Sequence, residues 1–442
     1  MIKKICGGLF LTLFLSGSVF SQQVKHVLLV SIDGFRPDFY KNQSWPAPTL
    51  QRLKNEGVYA DGVRSVFPSV TYPSHTTLVT GALPARHGIY YNVPYGEKKG
   101  HWYWEESYIK IPTLWDAVRK AGLTSGAVMW PVTVGAPIDY NFPVRRADND
   151  ENTDQLQVTL PYITPAGLID DIQKNATGPL APKSFSNEQM DKTIGQMAAY
   201  ILKTYKPNLM AVHFLGADHA EHATGREGEP VRHAVAIVDS MINELLTTIK
   251  NAGLENSTAI IITGDHGFVN TAQTFSPNVL LAQNGLLSKD EWQARFHPAG
   301  GSAFLYLKNK NDQVTVSKVK AILNALPQEQ KSLFRIVDRS ELDRIGANPE
   351  VALALAMAKG TVAANDQSGE LIKQRKKGGN HGYYPDFDEI NTGFIAIGPG
   401  IAKHSEIKLM GIKDVAPLIA KLLNLPFNAP DGTLVPGILN KP

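Results

Sequence analysis

The feature that most constrains this chain is a set of short, unbroken apolar runs, each leading to a residue able to do chemistry. The first is Val27-Leu28-Leu29-Val30, followed by Ser31-Ile32-Asp33-Gly34. A strand with one wet face alternates apolar and polar side chains, whereas an unbroken run fits a strand buried on both faces, as in a parallel sheet. The run Leu209 to Phe214 leads in the same way to Asp218 and His222, and Ala259 to Thr263 leads to Asp265 and His266. Strands are also expected over Ser125 to Trp130 and Gly393 to Ile397. Pro46, Pro48 and Gly57 bracket a helix from about Ala47 to Glu56, and others are predicted over Leu114 to Ala121, Asn187 to Tyr205, Pro230 to Ala252 and Asp414 to Leu423. Strands alternating with helices predict an α/β fold, a mostly parallel sheet covered by helices on both faces. Two stretches depart from the rhythm. Residues 142–185 are polar and rich in Asp, Asn and Pro; residues 272–375 mix short strands and helices and are expected to form a cap inserted into the core.

With 442 residues, 43% of them hydrophobic and 19% charged, the chain has ample material for a large core. The net charge of +3 and the lack of a long basic block argue against a duplex nucleic acid partner. The N-terminus reads as a secretory signal over residues 1–21: Lys3 and Lys4, an apolar run from Ile5 to Leu15, then small residues at Val19 and Ser21. The run is short for a membrane span, so cleavage near Gln22 and a secreted or periplasmic location are expected, with an uncleaved anchor as the alternative. Cys6 is the only cysteine, so a mature chain would be held by its core and by metals rather than by disulfides. No later segment is apolar and long enough to give that mature chain a membrane span. Nothing in the sequence sets the oligomeric state.

In doubly wound sheets, ligands bind beyond the carboxyl ends of the strands. Asp33, Asp218 with His222, and Asp265 with His266 all fall there, and His381 lies in Gly378-Gly379-Asn380-His381-Gly382 ahead of the last strand. Three aspartates and three histidines suffice for two divalent metal sites; the mixture of imidazole nitrogen and carboxylate oxygen suits zinc best, with manganese or iron behind it. Two divalent ions against three carboxylates leave about one unit of positive charge to attract an anionic substrate, and ions about 4 Å apart hold both the attacking and the leaving oxygens of a displacement. Singly, each residue has a plainer role: an Asp after a strand most often caps a turn or helix, and a lone His is usually structural. Asp265-His266-Gly267 is a sharper signal, read as adjacent ligands followed by a glycine that turns the chain. His219 competes with His222 as a ligand; the spacing from Asp218 favours His222, because the two then reach one ion around a turn. His75, His87 and His213 are expected to be structural or to support ligands from behind.

Thr71, in Phe67-Pro68-Ser69-Val70-Thr71-Tyr72-Pro73-Ser74-His75, is the candidate nucleophile. A helix is expected from Pro73 to Thr80, and a helix N-terminus presents free N–H groups and a positive dipole end to a phosphate. A hydroxyl there is a weak nucleophile unless a metal lowers its pKa; otherwise Thr71 is a helix cap. Ser69, Ser74 and Thr76 are rival hydroxyls. Asn92, after Arg86-His87-Gly88-Ile89, offers an uncharged amide to a phosphate oxygen or is an ordinary turn residue. Tyr72 is placed to stack on a base or aromatic leaving group; His101-Trp102-Tyr103-Trp104 does likewise or simply packs a loop.

Taken together these segments resemble the nucleotide pyrophosphatase/phosphodiesterase (type I phosphodiesterase) branch of the alkaline phosphatase superfamily. The resemblance rests on Ser31-Ile32-Asp33-Gly34-Phe35-Arg36, the Thr71 segment, Arg86-His87-Gly88-Ile89, Asp218 with His222, Thr263-Gly264-Asp265-His266-Gly267 and His381-Gly382-Tyr383, in that order. It implies an alkaline-phosphatase-like catalytic domain over residues 22–442 and a two-zinc site. Asp33, Thr71, Asp265 and His266 would meet one ion, and Asp218, His222 and His381 the other. Thr71 would attack phosphorus in line, giving a phospho-threonine intermediate that water releases. Asn92 would donate to a phosphate oxygen, and Tyr72 would lie beside a base. Related phosphodiesterases usually read Pro-Asp then Gly-His where this chain has Ala217-Asp218-His219-Ala220-Glu221-His222, a departure that leaves the ligand spacing intact and the substrate less defined.

The expected substrate is therefore a small phosphate ester, a nucleotide among the candidates. Two alternatives share the scaffold: a phosphomonoesterase, for which Arg145 and Arg146 would supply added positive charge if they are not simply solvated, and a phosphonate hydrolase cleaving a carbon–phosphorus bond. A metal-stabilised binding protein without turnover is the alternative outside catalysis.

Overall fold

The computed structural model of the protein describes residues 23–96, 100–147, 154–185 and 189–440. The expected signal segment, 1–21, and the expected start of a helix at Asn187 lie outside them. At the centre is an eight-stranded sheet. In chain order its strands are β1 (His26–Ile32), β2 (Val58–Ala60), β3 (Ser125–Val128), β4 (Tyr140–Phe142), β5 (Leu209–Phe214), β6 (Thr258–Gly264), β7 (Phe394–Ile397) and β8 (Ser405–Ile407). Across the sheet they run β8-β2-β7-β6-β1-β5-β3-β4. Every neighbouring pair is parallel except the two made by β7, which runs antiparallel to β2 and β6.

Seven helices matter to the argument: α1 (Pro48–Glu56), α2 (Thr71–Thr80), α3 (Leu114–Lys120), α4 (Met190–Tyr205), α5 (Gly216–Thr224), α6 (Glu229–Asn251) and α7 (Val415–Leu422). Alternate residues of the central strands face opposite layers. Leu28, Val30 and Ile32 join Met210, Val212 and Phe214 in a core with apolar residues of α1, α4 and α6. Val27 and Leu29 join Leu209, Ala211 and Ile261 in a second core with α2, α3 and α7. Both faces are thus covered, which is why β1 reads as an unbroken apolar run. Its five large apolar side chains are at most 2% exposed, each contributing about 1.5–3 kcal/mol through burial. The short helix α3 begins with a capping box: the Asp116 carboxylate accepts from Thr113 N at 2.7 Å and the Thr113 hydroxyl accepts from Asp116 N, a device that contributes about 1 kcal/mol.

Two boundaries differ from expectation in ways that bear on the site. The strand expected to Trp130 stops at Val128, because Met129 takes a left-handed φ of 58° that no strand tolerates. The helix expected from Pro73 starts at Thr71, with Val70 as its extended N-cap.

Within 272–375 lies a separate antiparallel sheet in the order Ala294–Pro298, Ser302–Leu307, Leu353–Met357, Phe334–Val337. Val316, Val319 and Leu323 of the helix Gln313–Asn324 share its core, as does Tyr383 from beyond the stretch. Among the described residues, no helix is long and apolar enough to cross a membrane.

Candidate active site

The site grows out of strand register. Ile32, the last residue of β1, pairs with Phe214 of β5 and with Gly264 of β6, so three strands end at one level. Asp33 follows directly, its N–H donating to Phe214 O at 2.8 Å. Gly34 takes a positive φ of 73°, and its N–H donates to Asp265 Oδ1 at 3.2 Å. Gly267 corrects a sequence expectation. It has no left-handed φ; instead a Cβ there would lie 2.3 Å from Glu389 O and 2.6 Å from Asn391 O. The glycine admits the backbone that returns to β7, rather than making a sharp turn. Asp191 of α4, which sequence reasoning passed over, is buried and accepts from Leu215 N and Gly216 N at 2.9 and 3.0 Å. It caps the start of α5, the helix that carries Asp218 and His222.

All six predicted ligands converge. His266 Nε2 lies 3.1 Å from Asp265 Oδ2 and 3.3 Å from Asp33 Oδ1. His222 Nε2 lies 3.3 Å from Asp218 Oδ1 and 3.1 Å from His381 Nε2, and His381 Nε2 lies 3.5 Å from Asp218 Oδ1. Ligand atoms of Asp33, Asp265 and His266 all fall within 4.8 Å of one another, and so do those of Asp218, His266 and His381. His266 therefore sits where the two groups join, rather than wholly within one of them. His213 stands beside them, its Nε2 3.3 Å from Asp33 Oδ2.

The tautomers follow from the backbone. Each imidazole turns its Nδ1 to a main-chain carbonyl: His213 to Met129 O, His222 to Gly379 O, His266 to Gly267 O and His381 to Ser69 O, at 3.0 to 3.3 Å. A carbonyl only accepts, so Nδ1 carries the hydrogen and the Nε2 lone pair faces the carboxylates. Asp33 Oδ1, Asp218 Oδ1, Asp265 Oδ2 and His266 Nε2 are buried with no hydrogen-bond partner. Acceptors packed against acceptors are costly until a cation lies among them, and the donor set is one that divalent metals take. These residues fit a metal.

The titration behaviour says the same. Burial, then the Asp265 and Asp218 charges, push the Asp33 carboxyl far above its usual range. Burial drives His381 and His213 well down, keeping their rings neutral.

A cavity of about 120 Å³ opens beside the cluster, lined by Asp33, Asp218, His222 and His381 and also by Thr71 and Asn92. Thr71 alone of the rival hydroxyls reaches it. Ser69 Oγ donates to Tyr383 O, Ser74 Oγ is paired with Ser65 Oγ, and Thr76 Oγ1 donates to Tyr72 O. Asn92 Oδ1 accepts from Tyr72 N at 2.9 Å. Its carbonyl is spent on the first turn of α2, which leaves its NH2 as the donor beside Thr71. Tyr72 also lines the cavity, but its ring is buried and packs on Trp102 at 5.2 Å. Trp102 and Trp104 stack at 5.8 Å and both line the cavity; their i, i+2 spacing on extended chain was the available signal. Among the histidines, His87 is structural, bonded to Thr77 Oγ1, and His75 Nδ1 donates to Thr71 O at 2.8 Å. His219 lines the cavity, while His222 makes the close contacts to Asp218 and His381. Arg146, expected in solvent, is on the cavity wall.

A parallel sheet with a hydroxyl and a metal-type donor cluster at its carboxyl edge defines a hydrolytic α/β enzyme class, and the chain can be placed within it. Residues 27–384 match the model of the type I phosphodiesterase / nucleotide pyrophosphatase family, and the chain belongs to that family. Among its relatives, ectonucleotide pyrophosphatase/phosphodiesterase family member 5 of Homo sapiens is 26% identical over 413 residues, covering 90% of this chain and 74% of the human protein. Bis(5'-adenosyl)-triphosphatase enpp4 of Mus musculus is 24% identical over 438 residues, covering 95% of this chain and 82% of the mouse protein. A solved structure of human family member 5 matches with a TM-score of 0.67 at 23% identity, covering 94% of this chain and 100% of that one. A murine counterpart, described as an inactive threonine-to-alanine variant in complex with AMP, matches with a TM-score of 0.64 at 21% identity, covering 91% of this chain and 97% of that one. The alkaline-phosphatase-like fold expected from the sequence is the fold observed.

Proposed function

We propose that this chain is a two-metal phosphodiesterase and nucleotide pyrophosphatase that acts through Thr71 on small nucleotide-like esters. The observation that carries the reading is the Thr71 hydroxyl, at the first residue of α2, on the wall of the cavity that Asp33, Asp218, His222 and His381 also line. The names of two relatives, a bis(5'-adenosyl)-triphosphatase and a variant bound to AMP, support a nucleotide.

Asp33, Thr71, Asp265 and His266 would hold one cation, and Asp218, His222 and His381 the other, with zinc the best match to the donors. When bound, the cations offset the buried carboxylates, bind phosphate oxygens and lower the pKa of the Thr71 hydroxyl. The Thr71 N–H and the dipole of the first turn of α2 favour a phosphate at Thr71. The Asn92 NH2 donates to a phosphate oxygen. Thr71 Oγ1 loses its proton to solvent and bonds to phosphorus in line as the leaving-group oxygen departs. Water then attacks the phospho-threonine, the bond to Oγ1 breaks, and the hydroxyl is restored. We also infer export, to be checked by N-terminal sequencing of the mature chain: a start near Gln22 supports it, and an intact Met1 counts against it.

The test is turnover of a nitrophenyl phosphodiester, a nitrophenyl monoester and phosphonoacetate, with and without chelator. The diester is expected to lead, chelator to abolish turnover, and Thr71→Ala to lower it on the order of 10³-fold while AMP still binds. A strong monoester or phosphonate preference, or an active Thr71→Ala protein, overturns the reading.

A further inference from the structure

Behind the cluster, away from the cavity, a buried ion pair joins the two groups of candidate ligands. Glu221 lies on α5 between Asp218 and His222, at a position where related phosphodiesterases usually read glycine. Its side chain is fully buried and has no place on the cavity wall. Glu221 Oε1 lies 2.8 Å from Arg36 Nε. Its other oxygen, Oε2, lies against Gly34, where a Cβ would stand 2.7 Å from it and 3.5 Å from Asp218 Cα. Gly34 and Arg36 belong to the chain that follows Asp33. The pair therefore ties a ligand at the end of β1 to the helix that carries two others.

Arg36 is itself held from several sides. Its Nη2 donates to Arg226 O at 2.9 Å, just past the end of α5, and its Nη1 lies 3.2 Å from Asp38 Oδ2. Its guanidinium packs over the Phe39 and Trp45 rings at 4.6 and 5.1 Å. Arg226 carries the tie further, donating from Nη1 to Phe268 O at 2.6 Å and to Glu389 O at 3.1 Å. Phe268 is two residues beyond His266. Neither Glu221 oxygen has a hydrogen bond, so the Arg36 charge is what offsets their burial. A buried ion pair adds little stability over apolar side chains of similar volume. Its use here is geometric.

We propose that Glu221, anchored on Arg36, is a positioning residue: it fixes α5 against the chain after β1 and so sets the gap between the Asp33, Asp265 and His266 group and the Asp218, His222 and His381 group. The proposal rests on the reading of these groups as a two-cation site. It adds no step to the reaction. It decides how well the second cation is held beside the first, a spacing on which a two-metal displacement depends.

The experiment is calorimetric zinc binding to chelator-treated protein. Wild type is compared with Glu221→Gln, Arg36→Met and the double variant Arg36→Met/Glu221→Met, and His222→Ala marks which equivalent belongs to the Asp218 group. Wild type should take up two equivalents. Glu221→Gln and Arg36→Met should weaken the marked equivalent on the order of 10- to 100-fold and change the other less than about three-fold. Melting curves separate placement from stability. Removing one partner strands the other's charge and lowers Tm, whereas the double variant, apolar at both positions, regains it. Positioning predicts that the double variant regains Tm without regaining the lost zinc affinity. Recovery of both together, equal weakening of the two equivalents, or no weakening overturns the proposal and leaves the two-cation reading standing. A wild-type protein that binds fewer than two equivalents removes that reading, and the proposal with it.

Discussion

The two halves of the metal-type cluster are built differently. Asp33, Asp265 and His266 stand at the ends of adjacent central strands, with side chains 5%, 0% and 0% exposed. Asp218 and His222 lie on α5 and His381 on a distant loop, with side chains 11%, 38% and 9% exposed. The first group is set by sheet register alone. The second is assembled from a helix, whose start Asp191 caps, and a loop whose position depends on the 272–375 stretch: Gly301 N donates to His381 O at 2.8 Å, and Tyr383 is buried in that stretch's core. One sequence thus makes a deep half and a shallow half, and the two should answer differently to the same perturbation.

The largest expected difference is catalytic. Asp265→Asn should lower kcat/KM on a nitrophenyl diester on the order of 10³-fold or more, and His222→Ala by a smaller factor, on the order of 10- to 100-fold, because water can more readily take the place of a ligand on the exposed half. Equal losses would erase the distinction. Next comes the support of the shallow half. Burial pushes the Asp191 carboxyl up to about 6, despite two N–H donors. An acid with a raised folded-state pKa contributes stability that is full below its unfolded value and is lost as pH rises through the folded one. Between pH 4 and pH 7, the stability of wild type relative to Asp191→Asn should therefore fall by about 2 kcal/mol in urea titrations of chelator-treated protein. A flat difference would remove Asp191 from the account. On the deep side, Gly267→Ala sets a Cβ against the backbone of residues 389–391 and should cost about 1–3 kcal/mol, read as a lowered Tm. A Tm unchanged from wild type would show that the returning backbone can yield. The smallest effect is one of timing. Under mild chelation, metal content should drop in two stages, the exposed half emptying first; a single concerted loss would mean the halves are one unit.

The deep half was also the more legible in sequence. β1, β5 and β6 each announce themselves as unbroken apolar runs, and Asp33 and Asp265 follow their ends within two residues. The ligand candidates could be named because their residue types and strand-end positions are local features. What stayed hidden depends on contacts across long separations. Asp191 meets Leu215 and Gly216 from another helix, and the role of Gly267 depends on chain more than a hundred residues away. Arg146 could not be told from a solvated arginine, because the cavity that receives it is made by α2, α5 and the Trp102 segment together. The early start of α2 at Thr71 was missed for a similar reason: the Asn92 side chain caps it from outside the helix.

The carbonyl oxygens of Met129, Gly379, Gly267 and Ser69 that orient the four imidazoles carry a consequence for evolution and for design. Because main chain rather than side chain does the aiming, drift at positions 69 and 129 can leave the rings correctly turned so long as the chain follows the same path. A grafted copy of the site on another scaffold would have to reproduce that path, and transplanting the ligand residues alone would yield rings free to spin.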